Sequence, residues 1–433
     1  MPQPKDTQND QPNQTTPLKE TRSVRALPRF SLDKTFAALK YPNYRLWFAG
    51  QLASLVGTWM QSTAQGFLVF QLTNSPAYLG IVGFVSGIPS WMFMLYGGVV
   101  ADRMARRTLL LITQTAMMIL AFILAALTFA GQVQPWHIVV LSFLLGVANA
   151  FDTPARQSFV LELIEREDLG NGIALNATMF QSAVVVGPAI AGITYALFGP
   201  GWCFTINGLS FIAVIVALYK MRLKPMAART QVTSVWEDLK SGVRYIAAHP
   251  VIRTIIALVS VACLFAMAFT TLFPDWAVVV LGGDAATNGW LQSARGVGSL
   301  LGALMIASLG RFKFKGKLLT TGTIVFPLAL IVFALIGSLE WSLIALVVVG
   351  WGFMIMFNMG NVLVQTHVED EFRGRVMGVY SLTFGGLTPV GSLFAGAMAE
   401  HAGAPATVIA GAAVTLAFAL WVWWRVPRLY ALE

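Results

Sequence analysis

The chain has 433 residues, of which 56% are hydrophobic and 11% charged, and it carries a formal net charge of +9. Soluble domains carry about 25% charged residues, so this composition, with a mean hydropathy of +0.68, excludes a water-soluble globular protein. The two cysteines, Cys203 and Cys263, both fall in apolar stretches, which excludes a disulfide framework.

Residues 1–45 form a tail rich in Gln, Asn, Thr and Pro. It lacks the apolar core of a signal peptide and is expected to be disordered. Beyond it lie twelve apolar segments, at 46–70, 78–100, 109–130, 136–155, 172–195, 202–221, 254–276, 287–309, 318–338, 341–364, 376–399 and 405–425. A hydrocarbon core of about 30 Å needs about 20 such residues per helix. Backbone polar groups in lipid must be satisfied within the segment, so the expected fold is an all-α polytopic membrane protein. The alternating ten-residue strands of an outer-membrane barrel are missing.

The loops after segments 1, 3, 5, 7, 9 and 11 contain no Lys or Arg. Basic residues lie in the tail, in the loops after even-numbered segments or at the C-terminal end, with Arg295 as the exception. This asymmetry predicts a multi-pass protein of the inner or plasma membrane with both termini in the cytoplasm. It accounts for the positive charge without a nucleic-acid partner and allows attraction to anionic lipid.

Residues 222–253 are the longest polar interruption and divide the chain into two six-segment halves, 46–221 and 254–433 with a short C-terminal tail. Within the linker, "SVWEDLKSGVRYIAAH" offers Ser234 as N-cap and acids in the first turn. It predicts an amphipathic helix lying along the membrane surface. "VVVGPAIAG" in segment 5 and "GGLTPVGSLFAG" in segment 11 suggest that the halves are repeats.

Charge inside or between the segments is rare enough to single out. "GGVVADRMARR" joins segments 2 and 3, and Asp152 lies near the end of segment 4. At 1.5 Å per residue Asp152 is about 24 Å along its helix, level with that loop. Arg103 or Arg106 is therefore expected to pair with Asp152, while Asp102 caps a helix end of the other half, at the start of segment 11. Such contacts would form only when the halves close on the cytoplasmic side. The plain alternative is that these arginines enforce topology and bind lipid.

Several segments carry polar rows at helical spacing. Segment 1 has Gln51, Ser54, Thr58, Gln61 and Gln65; segment 8 has Asn288, Gln292, Arg295 and Ser299; segment 10 has Asn358, Asn361 and Gln365. Each row falls on one helix face. They can line a cavity or hold helices together by hydrogen bonds. Arg295 at its depth costs at least about 2.5 kcal/mol and calls for a cavity or a partner. Asp275, near the outer end of segment 7, could be that partner and is also the candidate for proton coupling; Glu340 and Glu400 stand at loop boundaries.

"GGVVADRMARR" resembles the signature loop of the major facilitator superfamily. Gly98 takes its first position, Asp102 and Arg103 the acid–base pair, and Arg106 and Arg107 the basic end; Ala105 stands where Gly is usual. Gly187, Pro188 and Gly192 are similar to the antiporter motif of that superfamily, with Ala183 in place of its leading Gly. "NYRLWFAGQLASLVGTWMQSTAQGFLVFQLTNSPAYLG", "PARQSFV", "GPGWCFTINGLSF" and "RGRVMGVYSL" resemble the siderophore-exporter branch. The resemblance implies twelve helices in two six-helix bundles, with segments 1, 4, 7 and 10 lining a central cavity. On that cavity the substrate residues are Ser54, Thr58, Gln61, Gln65, Gln292, Arg295, Asn358 and Asn361.

The function this implies is a monomeric secondary transporter exporting an amphipathic small molecule, siderophore-like or drug-like, by proton antiport and alternating access. A flippase for lipid or lysolipid, or a uniporter, would share the fold. No Walker A motif, HExxH or GxSxG is present, and the four His are scattered, so an ATP-driven pump or an enzyme is not expected, nor any cofactor or metal.

Overall fold

The computed structural model describes residues 36–222, 235–309 and 313–432. Most of the N-terminal tail, and the predicted N-cap Ser234, lie outside the described residues. After a short 3₁₀ turn (Ala37–Lys40), six long helices follow: α1 (Pro42–Thr73), α2 (Pro76–Arg103), α3 (Arg106–Phe129), α4 (Pro135–Leu163), α5 (Leu169–Phe198) and α6 (Pro200–Lys220). The linker helix is α7 (Val235–Ala248). The second half holds α8, which runs irregularly over Pro250–Val280, then α9 (Ala285–Leu309), α10 (Lys315–Leu335), α11 (Leu339–His367), α12 (Arg373–Ala402) and α13 (Ala404–Arg425). No strand occurs among the described residues.

Ten of these helices are long and apolar enough to cross a membrane. The two long helices outside that set, α1 and α9, are the ones carrying the polar rows that include Gln61 and Gln65, and Gln292 and Arg295. Large apolar side chains cover the outside, with Ile112 55%, Leu197 69% and Leu335 73% exposed. On a water-soluble protein such a surface would aggregate; here it matches acyl chains. Exposed Trp136, Trp202 and Trp341 sit at the starts of α4, α6 and α11, where an aromatic belt would meet headgroups.

The turns follow local chemistry. Pro at the first helical position opens α1, α2, α4 and α6, where its missing N–H is no loss. Asn74 ends α1 in the left-handed region at φ 49°. Asp284 caps α9, its carboxylate accepting from the Thr287 N–H at 3.0 Å.

Each half has its own apolar core. In the first, Trp47 packs edge-on to Phe159 at 5.1 Å beside Leu110 and Val214. In the second, Trp276 stacks on Phe333 at 4.4 Å amid Leu330, Val349 and Leu272. The fifth helix of each half lies along the second helix of the other, α5 on α9 and α12 on α2. The face carrying Lys40 and Arg425 also carries the Lys- and Arg-bearing loops and is called the basic face below; its opposite is the far face.

The linker helix docks on the basic end of α12, where Arg375 Nε donates to Asp238 at 2.8 Å and Tyr245 stacks on Phe372 at 4.6 Å.

Candidate functional site

A cavity of about 500 Å³ lies between the halves. Its walls come from α1 (Thr58, Gln61, Gln65), α2, α4 (Ser142, Asn149), α6 (Asn207, Phe211), α8 (Met267, Pro274) and α9 (Gln292, Arg295). Helical spacing turns Thr58, Gln61 and Gln65 to one side, and they face this space together. Thr58, Gln61, Gln65, Gln292 and Arg295 thus line the cavity as the sequence suggested. Ser54, Asn358 and Asn361 do not: they lie closer to the basic ends of α1 and α11, beyond the enclosed volume.

The polar wall also binds helices to one another. Asn207 Nδ2 donates to Gln61 Oε1 at 2.7 Å, and Gln65 Nε2 to Ser142 Oγ at 2.7 Å. Across the halves, Thr63 Oγ1 donates to Gln292 Oε1 at 3.2 Å, and Asn288 Nδ2 to the Thr63 carbonyl at 3.5 Å; within α9, Gln292 Nε2 donates to Asn288 Oδ1 at 3.3 Å. Cavity lining and helix adhesion therefore reside in the same side chains. Asn149, Ser142 and Asn207 belong to this wall, and the sequence reading passed over them. Ser142 and Asn149 share one face of α4 seven residues apart, and Asn207 has only Ser210 three residues on, so neither helix shows a row as long as that of α1.

Arg295 enters the cavity with no hydrogen bond or ion pair to a described residue, and its Nε is fully shielded from solvent. The expected Asp275–Arg295 pair is not formed. Asp275 is buried at 5% exposure, one residue beyond the lining Pro274. The helix there departs from α geometry: a π turn (Ala262–Ala266), a 3₁₀ stretch (Met267–Leu272) and a second π turn (Trp276–Val280) flank Pro274. Such interruptions mark hinges and functional sites.

The far face is shut. Gly192 on α5 lies so close to α9 that a Cβ would meet the Ala285 carbonyl at 2.8 Å and Ala286 Cα at 2.9 Å. Gly187 lies equally close to Trp59 on α1. The glycines of the antiporter-like motif therefore act here by permitting close helix packing, and Pro188 contributes its carbonyl to the Gly289 contact. On the opposite seam, Glu400 Oε2 accepts from Ser75 Oγ at 2.7 Å and from the Ala77 N–H at 3.1 Å. Glu400 of α12 thus caps the N-terminus of α2 across the halves. Toward the basic face this seam ends where Trp91 meets Gly386. Beyond it, Gly98, Gly374, Gly378 and Gly385 have empty space beside them.

The signature loop is bonded within its own half. Arg106 Nη1 donates to Glu162 Oε1 at 2.6 Å. Arg107 donates to the Tyr219 carbonyl at 3.1 Å, at the C-terminus of α6. Asp152 accepts from Thr113 at 2.8 Å and Gln114 at 2.9 Å, with Arg156 at 3.8 Å. The expected Arg103 or Arg106 pair with Asp152 is therefore replaced: Asp152 is buried at 1% exposure and is answered by its own helix and α3, while Arg103 is exposed. The side chain of Asp102 lies outside the described residues.

Among the described residues no group of three or more His, Cys, Asp or Glu could hold a metal ion. The buried cysteines are free.

Comparison with known proteins agrees with this geometry. The family described as transmembrane secretion effector matches residues 33–433. The multidrug efflux pump Tap of Mycolicibacterium fortuitum is 27% identical over 83% of this chain and 90% of its own length. The staphyloferrin A transporter of Staphylococcus aureus is 23% identical over 81% of this chain and 87% of its own. The enterobactin exporter EntS of Shigella boydii is 23% identical over 79% of this chain and 81% of its own. Among solved structures, the nucleoside transporter NupG superposes with a TM-score of 0.69 at 13% identity, over 90% of this chain and all of the other. That likeness speaks to the fold.

Proposed function

Because the chain belongs to the transmembrane secretion effector family of the major facilitator superfamily, we propose that it exports amphipathic small molecules, siderophore-like or drug-like, by alternating access driven by inward proton flow. The observation that carries this reading is the cavity of about 500 Å³ walled by both halves and sealed at the far face. It is large enough for one small molecule and mixes amides with Trp59, Phe211 and Met267. The basic face is taken as cytoplasmic, so the structure corresponds to a state loading from the cytoplasm. The staphyloferrin A transporter and the enterobactin exporter offer the siderophore class; the multidrug efflux pump offers the drug class.

Asp275 is assigned to proton coupling, as a buried carboxyl beside the hinge at Pro274. In the opposite state, the signature loop with Asp102 and Arg103 is expected to meet α12. Replacing Asp275 by Asn is expected to abolish uptake driven by a pH gradient in inside-out vesicles and to leave substrate counterflow intact. Full gradient-driven transport in Asp275→Asn would remove this residue from the coupling.

A second reading, lipid flipping, is favoured by one feature. An apolar groove of about 490 Å³ opens to the side between α5, α9 and α11, lined by Ile190, Trp290 and Val347 among others. Translocation of a fluorescent lysolipid in proteoliposomes, without that of soluble amphipaths, would select it.

A further inference from the structure

The central cavity contains one formal charge. Arg295 is the only Lys, Arg, Asp or Glu among its described lining residues. The other polar groups are neutral amides and hydroxyls. Most are already engaged: Gln61 with Asn207, Gln65 with Ser142, Gln292 with Asn288, and Asn149 with the Leu145 carbonyl. Arg295 makes no hydrogen bond or ion pair to a described residue, its buried Nε included, and it has five donors to offer.

The acids that could neutralise it are placed elsewhere. Asp275 of α8 is off the wall, and no ion pair joins it to Arg295. Glu400 of α12 is engaged at the far face by Ser75 and Ala77. Asp152 of α4 is held by Thr113 and Gln114 toward the basic face. An unpaired guanidinium in a low-dielectric wall attracts an anion and repels a cation strongly.

We propose that the cavity selects amphipaths bearing a single negative charge, whose carboxylate or sulfonate group pairs with Arg295 while the apolar body lies on Trp59, Phe211 and Met267. A planar carboxylate suits the guanidinium fork. The cavity then excludes cationic amphipaths. This inference rests on the transporter reading of the cavity and names its substrate class.

The test uses the full chain in detergent and three fluorescent probes of one scaffold: dansylglycine, its neutral glycinamide, and the dansyl derivative of ethylenediamine, which is cationic. Binding is read by anisotropy. Dansylglycine is expected to bind about tenfold more tightly than the amide, as a charge-assisted hydrogen bond allows. The cation is expected to show no saturable binding. Arg295→Gln should bind acid and amide alike, and Arg295→Lys should retain part of the preference. Equal or tighter binding of the cation to the unaltered chain, no saturable binding of dansylglycine, or an undiminished acid preference in Arg295→Gln would overturn the proposal. The unaltered chain alone decides the charge preference if Arg295→Gln fails to fold. No gradient or transport direction enters the measurement, so a failure of the export reading leaves its outcome separate.

Discussion

At the scale of single residues, the buried charges of this chain are handled in two ways. Asp152 was moved out of contact with water and compensated at once, by Thr113, Gln114 and Arg156. Arg295 is half-buried, with its Nε shielded, and left uncompensated. The difference is that Asp152 sits between packed helices and Arg295 beside a void. A third charge, Asp168, is on the basic face just before α5. Its carboxylate is held below the usual range by the Lys40 ammonium at 2.5 Å and by the Tyr41 hydroxyl at 2.8 Å. A depressed carboxyl stabilises above its ordinary titration range, near pH 4, and loses that contribution as pH falls through its lower value in the folded chain. The clasp should therefore hold unchanged from neutral pH to about 4 and loosen only in stronger acid. Lys40 is 60% exposed, so the contribution is that of a surface pair. The readout is hydrogen exchange at the Ala38 amide, which donates to Asn171 at 2.9 Å. In Asp168→Asn that amide should be less protected at neutral pH, with protection relative to the intrinsic exchange rate that does not fall further in acid.

At the scale of elements, the two seams between halves are built from different chemistry. The α5–α9 seam is steric: Gly192, Gly289 and Gly296 bring backbones together, and Gly289 in turn lies against the Pro188 carbonyl at 2.5 Å from where a Cβ would stand. The α2–α12 seam adds the Glu400 cap on α2 to a similar close approach of Gly80 and Gly396. Valine at position 192 would collide with the backbone of Ala285 and Ala286, which cannot rotate away. Overpacking of this kind costs about 1–3 kcal/mol, and only the state closed at the far face pays it. Gly192→Val should thus shift the chain toward a far-open state by at least several-fold. The buried Leu79, which lines the cavity, reports this. In a background lacking Cys203 and Cys263, Leu79→Cys should react slowly with an impermeant maleimide, and faster once Gly192→Val is added. Equal rates would mean that the seam opens without separating these backbones.

At the scale of the whole molecule, the two halves exchange corresponding helices, α5 onto α9 and α12 onto α2. This pairing is what the sequence hint of matching Gly/Pro stretches in segments 5 and 11 amounts to: Pro188 and Pro389 lie in the two helices that make the contacts. A rocking motion about these seams would open one face as it closes the other. The orientation of that motion is set by which face is cytoplasmic. Single cysteines in 131–135 are expected to react from outside intact cells. Cysteines at 313–317 should react only after permeabilisation. Outside reaction at 313–317 would invert the assigned topology and make the far face cytoplasmic.

The sequence by itself determined the class and the helix positions. Those depend on apolar runs of fixed length, on Pro and Asn at helix ends, and on the loop-to-loop distribution of Lys and Arg, all local properties of the chain. It also marked Thr58, Gln61, Gln65, Gln292 and Arg295, since a polar row at helical spacing in an apolar helix must face something other than lipid. Only the tertiary structure decided which polar rows meet: the row of α11 fell outside the cavity lining, and residues of shorter polar runs such as Asn149 and Asn207 line it. It alone decided the partners of charge as well. Arg106 and Glu162 are 56 positions apart, and Ser75 and Glu400 are 325 apart. No periodicity encodes such pairs, because they depend on how far one helix slides along another and on which of two faces the halves have closed.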